Sequence, residues 1–224
     1  MKKYILTFIL ITQAFMSCKQ DKEKQVIIEN NIVKEMVIKN VSVITMKNND
    51  VLTNQDVVIK NGKITSMSGT KNADYKDMIV LEGKGKYIMP SLSDAHVHLP
   101  KNENELEKFL TLNLINGVTK LRSMRGDWKH LEWRNKHNTK ASIYPKLYLS
   151  APPIFRRHDF NSEQMEKYVE NAKAFDFIKI LSIKNETLFK ELDSLCKVNG
   201  ISIGGHFPSN ISDKQLFKSN YTSF

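Results

Sequence analysis

From residue 103 to the end of the 224-residue chain, segments of helical period alternate with short apolar runs of strand character, and this alternation restricts the fold more than any other feature. The spacing predicts a helix over 103–116, with Leu106, Phe109, Leu110, Leu112 and Leu114 on its apolar face and Gly117 ending it. Strand 118–124, helix 128–137 and strand 144–151 follow, the last stopped by Pro152-Pro153. Ser162 is placed to cap a helix that buries Met165, Tyr168, Val169 and Ala172. Strand 176–181, a helix over 185–198 ended by Gly200, strand 201–206, helix 211–219 and a strand starting at Tyr221 complete the series. Short strands with helical crossovers make an α/β fold, either a barrel or an open doubly wound sheet.

Upstream the period is two. Residues 34–46 alternate apolar and polar side chains, Asn48-Asn49-Asp50 supplies a turn, and strands 56–60 and 63–67 flank the hairpin dipeptide Asn61-Gly62. Further short strands are expected at 79–81 and 87–89. Residues 34–90 are therefore expected to form a small β-domain ahead of the α/β part, 91–224.

Where the two parts meet stands MPSLSDAHVHL, with His96 and His98 one residue apart. On a strand, side chains two apart share a face, so His-x-His directs two imidazoles to one point. Neutral imidazole is a good ligand for divalent zinc, iron, nickel or manganese, and two from one strand leave coordination positions for residues further along. The alternative is that the histidines simply end a strand. Asp94 is either an acceptor that orients these ligands or a turn residue.

The run over 79–99, IVLEGKGKYIMPSLSDAHVHL, resembles the segment that opens the catalytic barrel of the metal-dependent amidohydrolase superfamily, most closely the imidazolonepropionase-like branch. The usual form there is Pro-Gly-Leu-Ile-Asp-x-His-x-His; Ser91 and Ser93 stand where Gly and Ile are usual. INGVTKLRSMRGD over 115–127 resembles the second strand and loop of the same family, with Lys120 where Thr is common. The resemblance selects the barrel, so the expected fold is a partial TIM-like (β/α) barrel preceded by the small β-domain. Residues 91–224 amount to roughly half of the ~250 residues of a full barrel, and they are expected to supply its N-terminal half.

Two further motifs carry the resemblance. Lys179 lies mid-strand in DFIKIL, opposite in facing to Ile178 and Ile180, where burial should push its amine toward the neutral, reactive form. In the family, the lysine at this place reacts with carbon dioxide to a carbamate that bridges two metals; the alternative is a lysine that snorkels to water. His206 in GGHFP resembles the family's Gly-His-x-Pro histidine, a ligand of the second metal. The resemblance thus implies a divalent metal centre, two zinc ions, held by His96, His98, Lys179 and His206, and hydrolysis of a C–N bond in an amide, cyclic amide or short peptide by a metal-activated water. It also implies a histidine from strand six and a proton-accepting aspartate from strand eight. Asp94, Asp127 and Asp159 do not occupy that aspartate's place, and no catalytic base is assigned. In the loop 156–159, Arg156, Arg157 and His158 are candidates to meet substrate on the face where barrel loops follow strands, or else form a solvated loop.

The first eighteen residues read as a targeting segment: Lys2 and Lys3, an apolar stretch over 4–15 too short to span a bilayer, then Ser17-Cys18. This resembles a bacterial lipoprotein signal, in which Cys18 becomes the lipidated first residue of an exported, membrane-anchored chain, at the periplasmic or outer-membrane face. Residues 19–33 read as a tether. Cys196 is then unpaired within a helix and reads as a small core residue. With 41% hydrophobic and 26% charged residues the chain should bury a core. A formal charge of +10 raises nucleic acid as a partner, but the lysines are spread throughout and no basic run carries interleaved aromatics, so none is expected. Open strand edges would invite a second chain or a homo-oligomer. The alternatives to a hydrolase are a non-catalytic metal-binding or surface-interaction lipoprotein and one half of a split enzyme.

Overall fold

The structure is a computed structural model that describes residues 35–70 and 73–223. Its contacts divide into two compact units between Met89 and Pro90. The 1–18 signal, the 19–33 tether and Cys18 lie outside the described residues.

The first unit is a single sheet of β1 (Met36–Ile44), β2 (Val51–Lys60), β3 (Lys63–Gly69), β4 (Ile79–Glu82) and β5 (Tyr87–Ile88), ordered β3-β2-β1-β4 with β5 also on β1. Asn61 and Gly62 have φ of 50° and 72°, the left-handed pair that a two-residue hairpin needs to match strand twist. Val41, Val43 and Val57 form a small core, and Ile38, Ile59 and Ile88 pack against it. With so little apolar area buried, polar ties matter more. Asp56 is 1% exposed, and its Oδ1 accepts from the Asn40 N–H and the Thr70 hydroxyl at 2.9 Å each, while its Oδ2 accepts from the Tyr75 hydroxyl at 3.1 Å. Burial alone would raise the carboxyl; these three donors and the charge of Lys39 outweigh it and hold the carboxyl below the usual range.

A folded-state value below that of the unfolded chain means the stabilisation is complete above about pH 4 and is lost as pH falls through the folded value. Asp56→Ala is therefore expected to cost about 2 kcal/mol at pH 7, with the gap to the parent chain closing in acid. Urea unfolding at several pH values checks this, and a gap independent of pH would contradict it.

The second unit carries β6 (Leu92–Val97), β7 (Val118–Ser123), β8 (Lys146–Leu149), β9 (Phe177–Ile180), β10 (Ser202–Gly205) and β11 (Tyr221–Ser223). All their pairings are parallel. β6-β7-β8 and β9-β10-β11 form two ladders, joined by the parallel bridges Ser150 to Phe177 and Ile154 to Ile180, so the strands stand side by side in chain order. Between them run α1 (Glu103–Ile115), α2 (His130–His137), α3 (Ser162–Ala172), α4 (Glu186–Asn199) and α5 (Asp213–Phe217). This is the expected α/β fold, a partial (β/α) barrel. It holds six strands, as the series of strand segments requires, and two of its helices are short, α2 with 8 residues and α5 with 5.

One core unites strands and helices, with Leu106 and Leu110 of α1, Leu121, Leu147, Leu149, Ile178, Ile180, Ile203, and Phe189, Leu192 and Cys196 of α4. Leu112, expected on the apolar face of α1, is 60% exposed. At 100° per residue it lies about 200° around the helix from Leu110, on the solvent side. The cap of α3 is Asn161 rather than Ser162: its side chain accepts from the Gln164 N–H, and Gln164 returns the bond to the Asn161 N–H. That reciprocal box satisfies two N–H groups at the start of the helix, which Ser162, already inside the first turn, could not do.

Cys196 is buried, and burial, with the nearby Asp193 carboxylate, pushes its thiol up to about 12. Almost no thiolate exists at neutral pH, so a thiol reagent is expected to leave Cys196 unmodified in the folded chain and to label it on unfolding. Fast labelling of the native chain with Cys18 replaced by Ser would contradict the packing.

Candidate metal centre

The end of β6 separates core from site by simple alternation. Val97 and Leu99 are buried, whereas His96 and His98 project to the open side with ring centres 5.6 Å apart and planes tilted by 48°. Two imidazoles on one tetrahedral ion, each nitrogen about 2.1 Å from it, bring their ring centres to about 5 to 6 Å, so this pair suits a shared ion. Asp94 takes the turn role: its Oδ1 accepts from the His96 backbone N–H at 2.9 Å, where the register with β7 shifts between Asp94 and Val97.

Lys179 does not snorkel. It is 1% exposed within β9, opposite Gly204 of β10. Burial, and next the charge of Arg122, lowers its amine from the ordinary lysine value. Room for its stem comes from Gly205. A Cβ there would lie 2.9 Å from Lys179 Cδ and 2.1 Å from the Ile180 carbonyl oxygen, and Gly205 has φ +132°. The double glycine of GGHFP thus lets β10 pass close to the lysine.

His206 follows at the end of β10. Its N–H donates to the Ile180 carbonyl at 2.9 Å, and its carbonyl accepts from the Tyr221 hydroxyl at 2.6 Å. The four expected residues share one electrostatic neighbourhood: desolvation, then the charges of Lys179, His98 and His206, lower His96 from the ordinary histidine value, and Asp94 opposes them in part. The neutral imidazole this favours is the ligand form.

Beneath the histidines, toward the strand starts, a cavity of about 390 Å³ opens in the lumen, lined by Lys120, Arg122, Tyr148, Phe177, Ser202 and Thr222 among others. Arg122 lies 4.3 Å over the Phe177 ring, and its Nη2 donates to the Ser223 Oγ at 2.6 Å. It reaches from β7 to β11 across the inside of the sheet.

Arg156, Arg157 and His158 follow β8, on the expected side, but none bonds or stacks with the histidine cluster. The Arg156 N–H donates to the Ser182 hydroxyl, Arg157 lies over the Phe155 ring, and the His158 ring sits edge-on to Phe155 and Phe160 while its Nδ1 accepts from the Phe155 N–H. His158 shapes the loop. Gly205, Tyr221 and Arg122 were not singled out by sequence; the only signal was the Gly-Gly pair, and nothing local marked the tyrosine.

Among the described residues no three His, Cys, Asp or Glu side chains are disposed to hold an ion. The fit to a metal rests on the chemistry of the donor set: three imidazoles and a buried amine whose basicity burial lowers.

The solved bottromycin amidohydrolase aligns with a TM-score of 0.64 and 21% identity, over 79% of this chain and 40% of that one. The fold is that of the amidohydrolase barrels. By sequence, this amidohydrolase-fold chain is similar to the adenine deaminase of Listeria innocua serovar 6a, 24% identical over 206 residues, covering 84% of this chain and 34% of that protein. It is also similar to the adenine deaminase of Desulforamulus reducens, 31% identical over 191 residues, 77% of this chain and 31% of that protein. The chain spans about a third of the length of these curated relatives. No protein-family model matches it.

Proposed function

We propose that the chain supplies the metal-holding part of an amidohydrolase-superfamily site that hydrolyses a C–N bond of a small molecule or short peptide. What supports this reading is that His96 and His98 face one side of β6 with ring centres 5.6 Å apart, and that Lys179 of β9 and His206 at the end of β10 stand near enough for their charges to shift the His96 imidazole. His96 and His98 would hold one zinc ion, with Lys179 and His206 toward a second. Bound there, the ions would activate a water and polarise the scissile carbon. The Lys179 amine, whose basicity burial lowers, would attack carbon dioxide in its neutral form; an N–C bond forms, the amine proton leaves to solvent, and a carbamate results.

No aspartate of this region takes the proton of that water. Asp94 is committed to the His96 N–H, Asp127 to the Lys129 N–H, and Asp159 to Lys184 at 2.6 Å. That observation favours a second reading: metal binding without turnover in this chain by itself, as a binding lipoprotein or as one part of a split enzyme. The imidazolonepropionase-like branch rests on the run IVLEGKGKYIMPSLSDAHVHL over 79–99, whereas the relatives aligned over most of the chain are named adenine deaminases, so adenine is the first substrate to try. Cys18 lipidation and export to a membrane belong to the same proposal and are tested by palmitate labelling of the parent chain against Cys18→Ser.

The experiment is hydrolysis by the zinc-loaded chain, read as ammonia release from adenine, ring opening of a cyclic amide and free amino acids from dipeptides. Turnover abolished by Lys179→Met supports hydrolysis. Bound zinc without turnover selects the second reading, and failure to bind zinc overturns both.

A further inference from the structure

His206 is joined to β10 by Gly205, whose φ of +132° lies where a side chain would resist it and glycine does not. Such a joint gives the following residue little directional control of its own. Control comes from both neighbouring strands. On one side the His206 N–H donates to the Ile180 carbonyl at the end of β9. On the other, Tyr221 opens β11 opposite Ile203 of β10, and its hydroxyl donates to the His206 carbonyl at 2.6 Å. The Tyr221 ring is itself placed against Phe189 of α4, with centres 6.5 Å apart. The first bond fixes the peptide plane before His206 and the second fixes the plane after it, so together they set φ and ψ and leave the imidazole only its two side-chain torsions.

We propose that Tyr221 is a positioning residue that aims the His206 imidazole at His96, His98 and Lys179. The proposal rests on the metal-centre reading, and its test separates the two. Tyr221→Phe keeps the ring against Phe189 and removes only the hydroxyl. Two measurements are made on the purified chain, with His206→Ala as reference: amide hydrogen exchange resolved at His206, which needs no metal, and cobalt(II) titration followed by absorbance.

Tyr221→Phe is expected to exchange the His206 N–H about tenfold faster while β9 and β10 keep their protection. It is also expected to bind the cobalt equivalent that His206→Ala abolishes about tenfold more weakly. Exchange and cobalt affinity equal to the parent chain would overturn the proposal. Faster exchange throughout β10 and β11 would make Tyr221 a structural residue and overturn it as well. If the parent chain binds no cobalt that His206→Ala removes, the metal-centre reading fails and Tyr221 has no ligand to aim, whatever the exchange result.

Discussion

Gly205→Ala is expected to destabilise the barrel unit by about 4 kcal/mol, against about 1 kcal/mol for Gly204→Ala one residue earlier. The two glycines look alike in sequence but face different obstacles. A methyl group at Gly204 meets the Ser223 hydroxyl at 2.7 Å and the Arg122 guanidinium at 3.2 Å, ends of side chains that can turn aside, and no backbone atom nearer than the Ser223 carbonyl oxygen at 3.2 Å. At Gly205 it would sit 2.1 Å from the Ile180 carbonyl oxygen, with φ at +132°. Neither can relax without moving β9, because the Ile180 carbonyl also accepts from the His206 N–H and the neighbouring Lys179 carbonyl accepts from the Ile154 N–H. Urea unfolding of both variants measures the difference. Equal losses would mean that β10 does not pass β9 as closely as described.

Lys179→Met is expected to move stability and metal binding in opposite directions. Folding takes the amine out of water, and the shift of Lys179 away from its ordinary value means the protonated form is disfavoured in the folded chain. Below the folded-state value that penalty is complete; above the unfolded value of about 10.4 it disappears, since the amine is then neutral in both states. Replacement by methionine, similar in length and uncharged, should therefore stabilise the chain by about 1 kcal/mol at pH 7. The gain should shrink as pH rises toward 10. The same change removes the donor between the two imidazole sets, and zinc bound per chain should fall by about half. A variant that is less stable at neutral pH would show that Lys179 is held by a partner in the folded state rather than merely enclosed.

Much of the fold is local and so visible in the sequence. Asn61-Gly62 sets its hairpin through backbone geometry alone, and Met165, Val169 and Ala172 bury one face of α3 as their spacing requires. The departures also have local causes: Leu112 does not share a face with Leu110, and the cap falls at Asn161, one residue before Ser162, because asparagine caps as well as serine. For the site, strand alternation made His96 and His98 legible as a pair, and a lysine among β-branched neighbours implied the burial that Lys179 shows. What aims these groups was not legible. The Tyr221 bond to His206 and the passage of Lys179 over Gly205 depend on which strands become neighbours, a property of register that no spacing along the chain encodes. Arg156, Arg157 and His158 lie on the expected face, where Arg157 lies over the Phe155 ring and the His158 ring packs on Phe155 and Phe160.

The most direct test of the central claim is the metal content of the purified chain, Cys18 replaced by Ser, by elemental analysis after exhaustive dialysis from zinc, beside the double variant His96→Ala/His98→Ala. The account predicts near two equivalents of zinc in the parent chain and at most one in the double variant, with both chains folded. Metal-free protein in both, or equal zinc in both, would contradict it.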